Sequence, residues 1–410
     1  MLASTPPTLI VGGTNGKGSS VTLAASIYHR AAYRVGRYTS PHLLDYNERI
    51  AIDEQPVEDA ELCRAFTAIE QARGEIALTY FEFGTLAALW LFREAAVDVQ
   101  VLEVGLGGRL DAVNIVDASC ALVTNIGLDH RDWLGDDHEA IGYEKAGIFR
   151  AHRPAICVQT DPPNSLLRHA AAIEAPLQLL GRDFFAEPSS EYEPLSERAD
   201  TRAQRTTERA HVQHWDWRGP GSARLERLPL PGLGGRAQID NAAGVLAAIH
   251  ALQPQLPVPE EAIRVALPSL RLRGRYERIG RLILDVAHNA EAAAVLADNL
   301  RADGFEGRVV LVLGMLADKP VTEVCAALAP LLRRAYFGGL PGARGLDGEQ
   351  LRLRALEAGV VGDSDASVES AFARAWHAAE GDAIVLVCGS FLTVAAVARL
   401  NFESLDLKTE

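Results

Sequence analysis

The sequence predicts an α/β protein in two parts. A P-loop-containing, mostly parallel sheet domain is expected over residues 1–270, then a linker at 271–280 and a smaller, Rossmann-like α/β domain over 281–410. Three observations predict it. Short apolar runs alternate with helical stretches up to about residue 160, the same alternation restarts near residue 280, and a glycine-rich turn joins the first apolar run to the first helical stretch. Strands separated by crossover helices pair in parallel.

The first run, TPPTLIV, opens after two prolines and is rich in β-branched residues, so it reads as a strand. The turn VGGTNGKGSS, residues 11–20, follows, and SSVTLAASIYHRAA continues as a helix. The strict pattern G-x-x-x-x-G-K-[ST] is missed by one place at the hydroxyl, and Val11 stands where the first glycine belongs. The strand, turn and helix context keeps the reading. Unpaired amides at the helix start and the helix dipole together attract polyphosphate. Lys17 would then reach the outer phosphates, and Ser19 or Ser20 would approach a metal.

Later strands are expected at VDVQVLEVG, CALVTNIG and PAICVQ, with a helix at FGTLAALWLFREAA. Residues 186–224, rich in Glu, Arg, Ser and Thr, read as a surface insertion. A helix at IDNAAGVLAAIHAL follows. The basic stretch LPSLRLRGRYERIG reads as the connector, and RLILDVAHN, RVVLVLGML, RAYFGG and AIVLVCGS are the strands of the second domain.

Composition narrows the function. The 410 residues are 48% hydrophobic and 23% charged, as in an ordinary globular enzyme. A net charge of −14 argues against nucleic acid or an anionic membrane as the main partner. No apolar run approaches the roughly 20 residues that span a bilayer, and the N-terminus has no basic n-region, so a cytoplasmic protein is expected. Five scattered cysteines without a C-x-x-C pair argue against a disulfide framework or a thiolate zinc site.

Ligands of parallel sheets bind beyond the carboxyl ends of the strands, where several polar residues fall. TSPHL offers Ser40 and His42, EVGLGGRLDAVN offers Glu103, Arg109, Asp111 and Asn114, and IGLDHRDW offers Asp129, His130 and Asp132. Together they make an oxygen-rich site with one imidazole, suited to Mg2+ bridging phosphates. Lys145, in IGYEKAGIF, reads by itself as a solvated helix lysine.

In order, GTNGKGS, TSPHL, TYFEFGT, EVGLGGRLDAVN, DHRDWLG, EKAGIFR, DVAHN and GMLADK resemble the dihydrofolate synthase/folylpolyglutamate synthase family, relatives of the Mur ligases. The resemblance runs from about residue 9 to 400. It implies an ATP-dependent ligase that adds L-glutamate to 7,8-dihydropteroate and to reduced folates through an acyl phosphate. It further implies phosphates on Asn15, Gly16, Lys17 and Gly18, and magnesium, two ions in all, on Ser40, Glu103, His130 and a carbamylated Lys145. Arg275 would touch the phosphates, Asp285 the ribose side and Asn241 the adenine, while His288 and Ser390 would serve the glutamate end. The pterin would lie on Thr79, Tyr80, Phe81 and Glu82 and on Leu110, Asp111 and Ala112, with Phe81 either stacked on the ring or in the core. Bifunctional bacterial members carry a further segment before the first strand that helps cover the pterin, so here that cover is either missing from the given start or built otherwise.

The expected partners are small molecules acting on a monomer, with no nucleic acid and no membrane. Three rivals are a folylpolyglutamate synthase alone, a cell-wall Mur ligase with a UDP-linked acceptor, and a non-catalytic nucleotide-binding relative. The Mur ligase would want an additional N-terminal UDP-binding domain, and intact Lys17, Glu103, His130 and Lys145 count against the non-catalytic reading.

Overall fold

The apolar runs become strands buried on both faces. The computed structural model describes residues 6–129, 131–135, 137–189 and 214–400. In chain order Thr8–Gly12 (β1), Val35–Tyr38 (β2), Ile50–Ile52 (β3), Gln55–Pro56 (β4), Val99–Glu103 (β5), Cys120–Val123 (β6), Ala155–Cys157 (β7) and Leu177–Leu179 (β8) build the first sheet. Its order is β4-β3-β2-β5-β1-β6-β7-β8. All pairs from β2 to β8 are parallel, and β3 and β4 add an antiparallel edge.

Every residue of β1 and β5 is buried, so these strands show continuous apolar runs rather than alternation. One face packs on helices Lys17–Arg30, Arg236–Leu252 and Glu260–Ser269, the other on Asp59–Arg73, Tyr80–Glu94 and His138–Ala146. The chain leaves β1 toward β2 on one side, and crosses from β5 to β6 on the other. That reversal opens a crevice beyond the carboxyl end of β1, where the glycine-rich turn lies.

The stretch 186–224, expected as a surface insertion, folds at both ends. Phe185–Pro188 (β9), His214–Arg218 (β10) and Arg224–Pro229 (β11) form an antiparallel sheet ordered β11-β10-β9, and residues 190–213 lie outside the described residues. The tryptophans account for the difference. Trp215 and Trp217 are buried, and Trp217 Nε1 donates to the Ala243 carbonyl at 3.1 Å, so the strands are pinned to helix Arg236–Leu252.

Glu277–Ile279 (β12), Leu282–Leu284 (β13), Val309–Leu313 (β14), Leu332–Gly338 (β15), Asp363–Asp365 (β16) and Ile384–Cys388 (β17) form the second sheet, ordered β12-β13-β17-β14-β15-β16. It is parallel except for the β12 and β13 pair. Part of the stretch expected as a linker is therefore its edge strand, because Arg278 and Ile279 find ladder partners across a tight turn. The two sheets are joined by packing as well as by chain. Leu43, the last residue of TSPHL, is buried in a core with Leu282, Leu284, Val387 and Val394. Cys120, Cys157, Cys325 and Cys388 are buried core residues and Cys63 is exposed. Among the described residues no helix is long and apolar enough to cross a membrane.

Candidate active site

The turn after β1 is held from below by the end of β6. Thr14 N donates to the Asn125 carbonyl at 2.9 Å, Asn15 N to Asn125 Oδ1 at 2.7 Å, and Thr124 Oγ1 to the Asn15 carbonyl at 2.6 Å. Two glycines are obligatory. Gly13 has φ +143° and a Cβ there would sit 1.8 Å from Thr124 Oγ1, while Gly16 has φ +80° and its Cβ would meet Asn241 Nδ2 at 2.4 Å. Gly16 starts helix Lys17–Arg30 with no side-chain cap and no acid in the first turn. Its first amides and the positive end of its dipole are thus presented to an anion.

Lys17 folds back over this turn, its Nζ donating to the carbonyls of Gly13 at 3.0 Å and Thr14 at 3.1 Å. Burial lowers its pKa, against the opposing charge of Glu103. Glu103 ends β5 at 4% exposure and accepts Ser40 N at 3.0 Å. Burial pushes its carboxyl up, against the pull of Lys17. A Cβ on Gly18 would lie 3.6 Å from Glu103 Oε2, so the helix start and the carboxylate are in near contact.

Lys145 corrects the sequence reading. It is 3% exposed on helix His138–Ala146, and burial, reinforced by the positive charge of Lys17, lowers its pKa to about 7. Its amine faces the same cavity as Glu103 and Lys17 because that helix is packed against the sheet just beyond β5 and β6. Asp111 accepts the amides of Leu106 at 2.9 Å and Val113 at 3.0 Å, which shapes the glycine loop after β5.

The second domain reaches over this turn. Asn289 Nδ2 donates to Asn15 Oδ1 at 3.1 Å, and Glu291 Oε2 accepts Asn15 Nδ2 at 3.0 Å and Asn125 Nδ2 at 2.8 Å. Lys319 Nζ lies 2.7 Å from Asp129 Oδ1, and His288 Nε2 lies 3.4 Å from Asp129 Oδ2. His288 Nδ1 is 2.9 Å from the Val286 carbonyl, which only accepts, so that nitrogen carries the proton. Asp285 accepts the amides of Tyr276 and Ala287, both at 2.8 Å, and burial raises its pKa against the charge of Arg275. Ser390 Oγ accepts Thr393 N at 3.0 Å and caps helix Phe391–Ala398.

These elements enclose a cavity of about 620 Å3. Of the expected residues, Asn15, Gly16, Lys17, Gly18, Ser40 and Glu103 line it, as do Tyr80, Phe81, Asp111, Lys145, Arg275, His288 and Ser390. The tip of the Phe81 ring lies against Gly105, where a Cβ would come 2.6 Å from Cζ. Thr79, Glu82, Leu110, Ala112, Asn241 and Asp285 are not in the lining. Thr79 and Glu82 satisfy each other in a capping box at the start of helix Tyr80–Glu94, and Leu110 points to solvent at 80% exposure. Asn241 stands behind Gly16. His130 lies outside the described residues, as does the side chain of Asp132. Arg49, Lys319 and Arg344 line the cavity without having been singled out; only Lys319 had a signal, as the last residue of GMLADK.

Among the described residues no three His, Cys, Asp or Glu side chains converge as a ready metal cluster. That fits magnesium, which takes one or two protein carboxylates and completes its shell with phosphate oxygens and water. Glu103, whose Oε2 accepts Ser40 N and which lies beside the anion-binding turn, is a donor of the right kind.

A family model for the Mur ligase middle domain matches residues 11–249, and one for the Mur ligase glutamate ligase domain matches residues 274–391. The chain is 43% identical over 405 residues to the dihydrofolate synthase/folylpolyglutamate synthase of Escherichia coli strain K12, covering 97% of this chain and 87% of that protein. The solved structure of E. coli FolC in complex with DHPP and ADP superposes with a TM-score of 0.86 at 42% identity, covering 98% of this chain and 89% of that one. A bifunctional folylpolyglutamate synthase/dihydrofolate synthase with Mn, AMPPNP and L-glutamate bound gives a TM-score of 0.83 at 40% identity, covering 98% and 90%.

Proposed function

Because this chain belongs to the dihydrofolate synthase/folylpolyglutamate synthase family of Mur ligases, we propose that it is an ATP-dependent ligase joining L-glutamate to 7,8-dihydropteroate and to reduced folates. The observation that carries the reading is a single cavity with an anion-binding helix start, Lys17 and Glu103 on one wall, and Tyr80 and Phe81 on another. Nucleotide phosphate and an aromatic acceptor can meet there.

Two anions must react, so charge is the obstacle. The acceptor carboxylate attacks the γ-phosphorus, an acyl–oxygen–phosphorus bond forms, and ADP leaves. The glutamate amine then attacks the acyl carbon, phosphate leaves, and the amine loses a proton. The amides of Asn15 to Gly18 and the ammonium of Lys17 hold the phosphates, joined by Arg275 from the second domain. When bound, magnesium offsets the charge between phosphoryl group and carboxylate. Ser40, Glu103, His130 and a carbamylated Lys145 would hold it. Carbamylation needs an unprotonated amine, and the lowered pKa of Lys145 supplies one near neutral pH.

Asn241 and Asp285 would flank the adenine and ribose, and His288 and Ser390 the incoming glutamate. Tyr80, Phe81 and Asp111 would receive the pterin, with Thr79, Glu82, Leu110 and Ala112 shaping its surroundings. Closure of the second domain over the turn would exclude water from the acyl phosphate. The protein would act on small molecules as a cytoplasmic monomer, in keeping with a net charge of −14 that repels nucleic acid.

The test is ADP release with Mg2+ and ATP, with dihydropteroate or tetrahydrofolate as acceptor, each with and without L-glutamate, and products identified by mass. Glutamate-dependent turnover of both acceptors is expected. Turnover of tetrahydrofolate alone would remove the dihydropteroate activity, and ATP binding without turnover of either would overturn the reading.

A further inference from the structure

Glu291 touches the phosphate turn without lining the cavity. It stands in the first turn of helix Ala290–Ala302, whose N-cap is Asn289, and so belongs to the second domain. Its Oε2 accepts both Asn15 Nδ2 at 3.0 Å and Asn125 Nδ2 at 2.8 Å, whereas neither Glu291 nor Asn125 is among the described residues that enclose the cavity. The carboxylate therefore acts on the turn from outside. Gly127 makes room for it, since a Cβ there would lie 2.3 Å from Glu291 Oε2.

What the carboxylate does follows from the donors and acceptors around it. Asn125 Oδ1 accepts Asn15 N at 2.7 Å, the amide just before Gly16, and the Asn125 carbonyl accepts Thr14 N at 2.9 Å. A carboxamide can be turned over, exchanging oxygen and nitrogen at little steric cost. Turned over, Asn125 would set Nδ2 against Asn15 N, donor against donor, and the phosphate turn would lose one of its ties to the end of β6. Glu291 disfavours that arrangement, because an ionised carboxylate only accepts and calls for Nδ2 on its side. Asn15 is fixed in the same way, with Nδ2 on Glu291 and Oδ1 accepting Asn289 Nδ2 at 3.1 Å.

Gly16 and Lys17 follow directly on Asn15, so the placing of the Asn15 amide is passed on to the helix start that faces the phosphates. Resting on the nucleotide site proposed above, we propose that Glu291 is a positioning residue for the nucleotide: from the second domain it holds the Asn125 and Asn15 side chains in the one orientation that keeps the turn shaped for polyphosphate. Both bonds end on a single carboxylate oxygen, so the role needs an acceptor rather than a charge.

The test measures calorimetric binding of ADP with Mg2+ to the full chain, beside KM for ATP, kcat and melting temperature. Glu291→Ala is expected to weaken ADP roughly three- to tenfold and to raise the KM for ATP alike, with kcat within about twofold, the worth of solvent-exposed hydrogen bonds to a charged group. Glu291→Gln keeps one oxygen for both carboxamides and should stay within about twofold of wild type. Gly127→Ala pushes the flexible end of Glu291 aside, so it should weaken ADP as Glu291→Ala does and add nothing in the double variant. Tighter ADP binding in Glu291→Ala, a Gln variant as weak as the Ala one, additive losses in the double variant, or a change confined to kcat or melting temperature overturns the inference. ADP binding needs no ligation, so failed turnover by wild type strikes the functional reading alone and the variants' ADP affinities still decide the inference, whereas a wild type that binds no ADP overturns both.

Discussion

Replacing Lys319 by methionine would test whether the two domains act as one site. Lys319 and Asp129 come from different sheets, meet at 2.7 Å, and have side chains only 7% and 12% exposed, so solvent screens the pair little. Removing one member of a buried pair costs about 3–5 kcal/mol, and the lower figure applies here because Asp129 keeps His288 Nε2 at 3.4 Å. If the pair forms only when the domains are closed, that cost falls on the closed state. At about 3 kcal/mol, kcat/KM for ATP would drop roughly a hundredfold. Asp129→Asn should cost a similar amount, and the double variant should be no worse than either single one, which is the signature of a direct interaction. Steady-state ADP release across this double-mutant cycle is the assay, with thermal melting alongside. Additive losses in kcat/KM, or a change confined to melting temperature, would refute the argument that the pair couples closure to catalysis.

Three further outcomes are expected. With Lys145 held at about 7, the amine is charged below that pH and free above it, so activity in dilute buffer should rise through neutral pH and added bicarbonate should restore it on the acid side; native mass analysis should show one added CO2, absent in Lys145→Met. Thr79→Ala removes the cap of helix Tyr80–Glu94 and should cost about 1 kcal/mol in chemical denaturation while leaving the acceptor KM within a few-fold, because Thr79 bonds Glu82 rather than the cavity. Trp217→Ala should cost about 3–5 kcal/mol of stability, since it empties a buried site and removes the hydrogen bond that pins β10 to helix Arg236–Leu252, with little change in the KM for ATP.

The sequence by itself determined the elements and their order, because those are written in local spacing. Alternating apolar runs and helical stretches marked β1, β5, β6 and β7, and the glycines at 13 and 16 marked a turn only glycine can make. The polar residues at strand ends were legible for the same reason, and so was the family, through motifs that are contiguous in the chain. Burial of a charged residue is not local. Lys145 reads as a solvated helix position until the sheet is packed over it, and Trp215 and Trp217 read as part of a polar insertion until helix Arg236–Leu252 is set against them. Thr79 and Glu82 looked like substrate contacts because a capping box and a binding motif share residue types. Only the tertiary structure decided that Lys319 meets Asp129, that Glu291 holds Asn15, and that Arg49 faces the cavity. Those facts depend on which side chains from distant segments share a desolvated space. Sequence spacing carries no term for that, whereas the energy of a charge does.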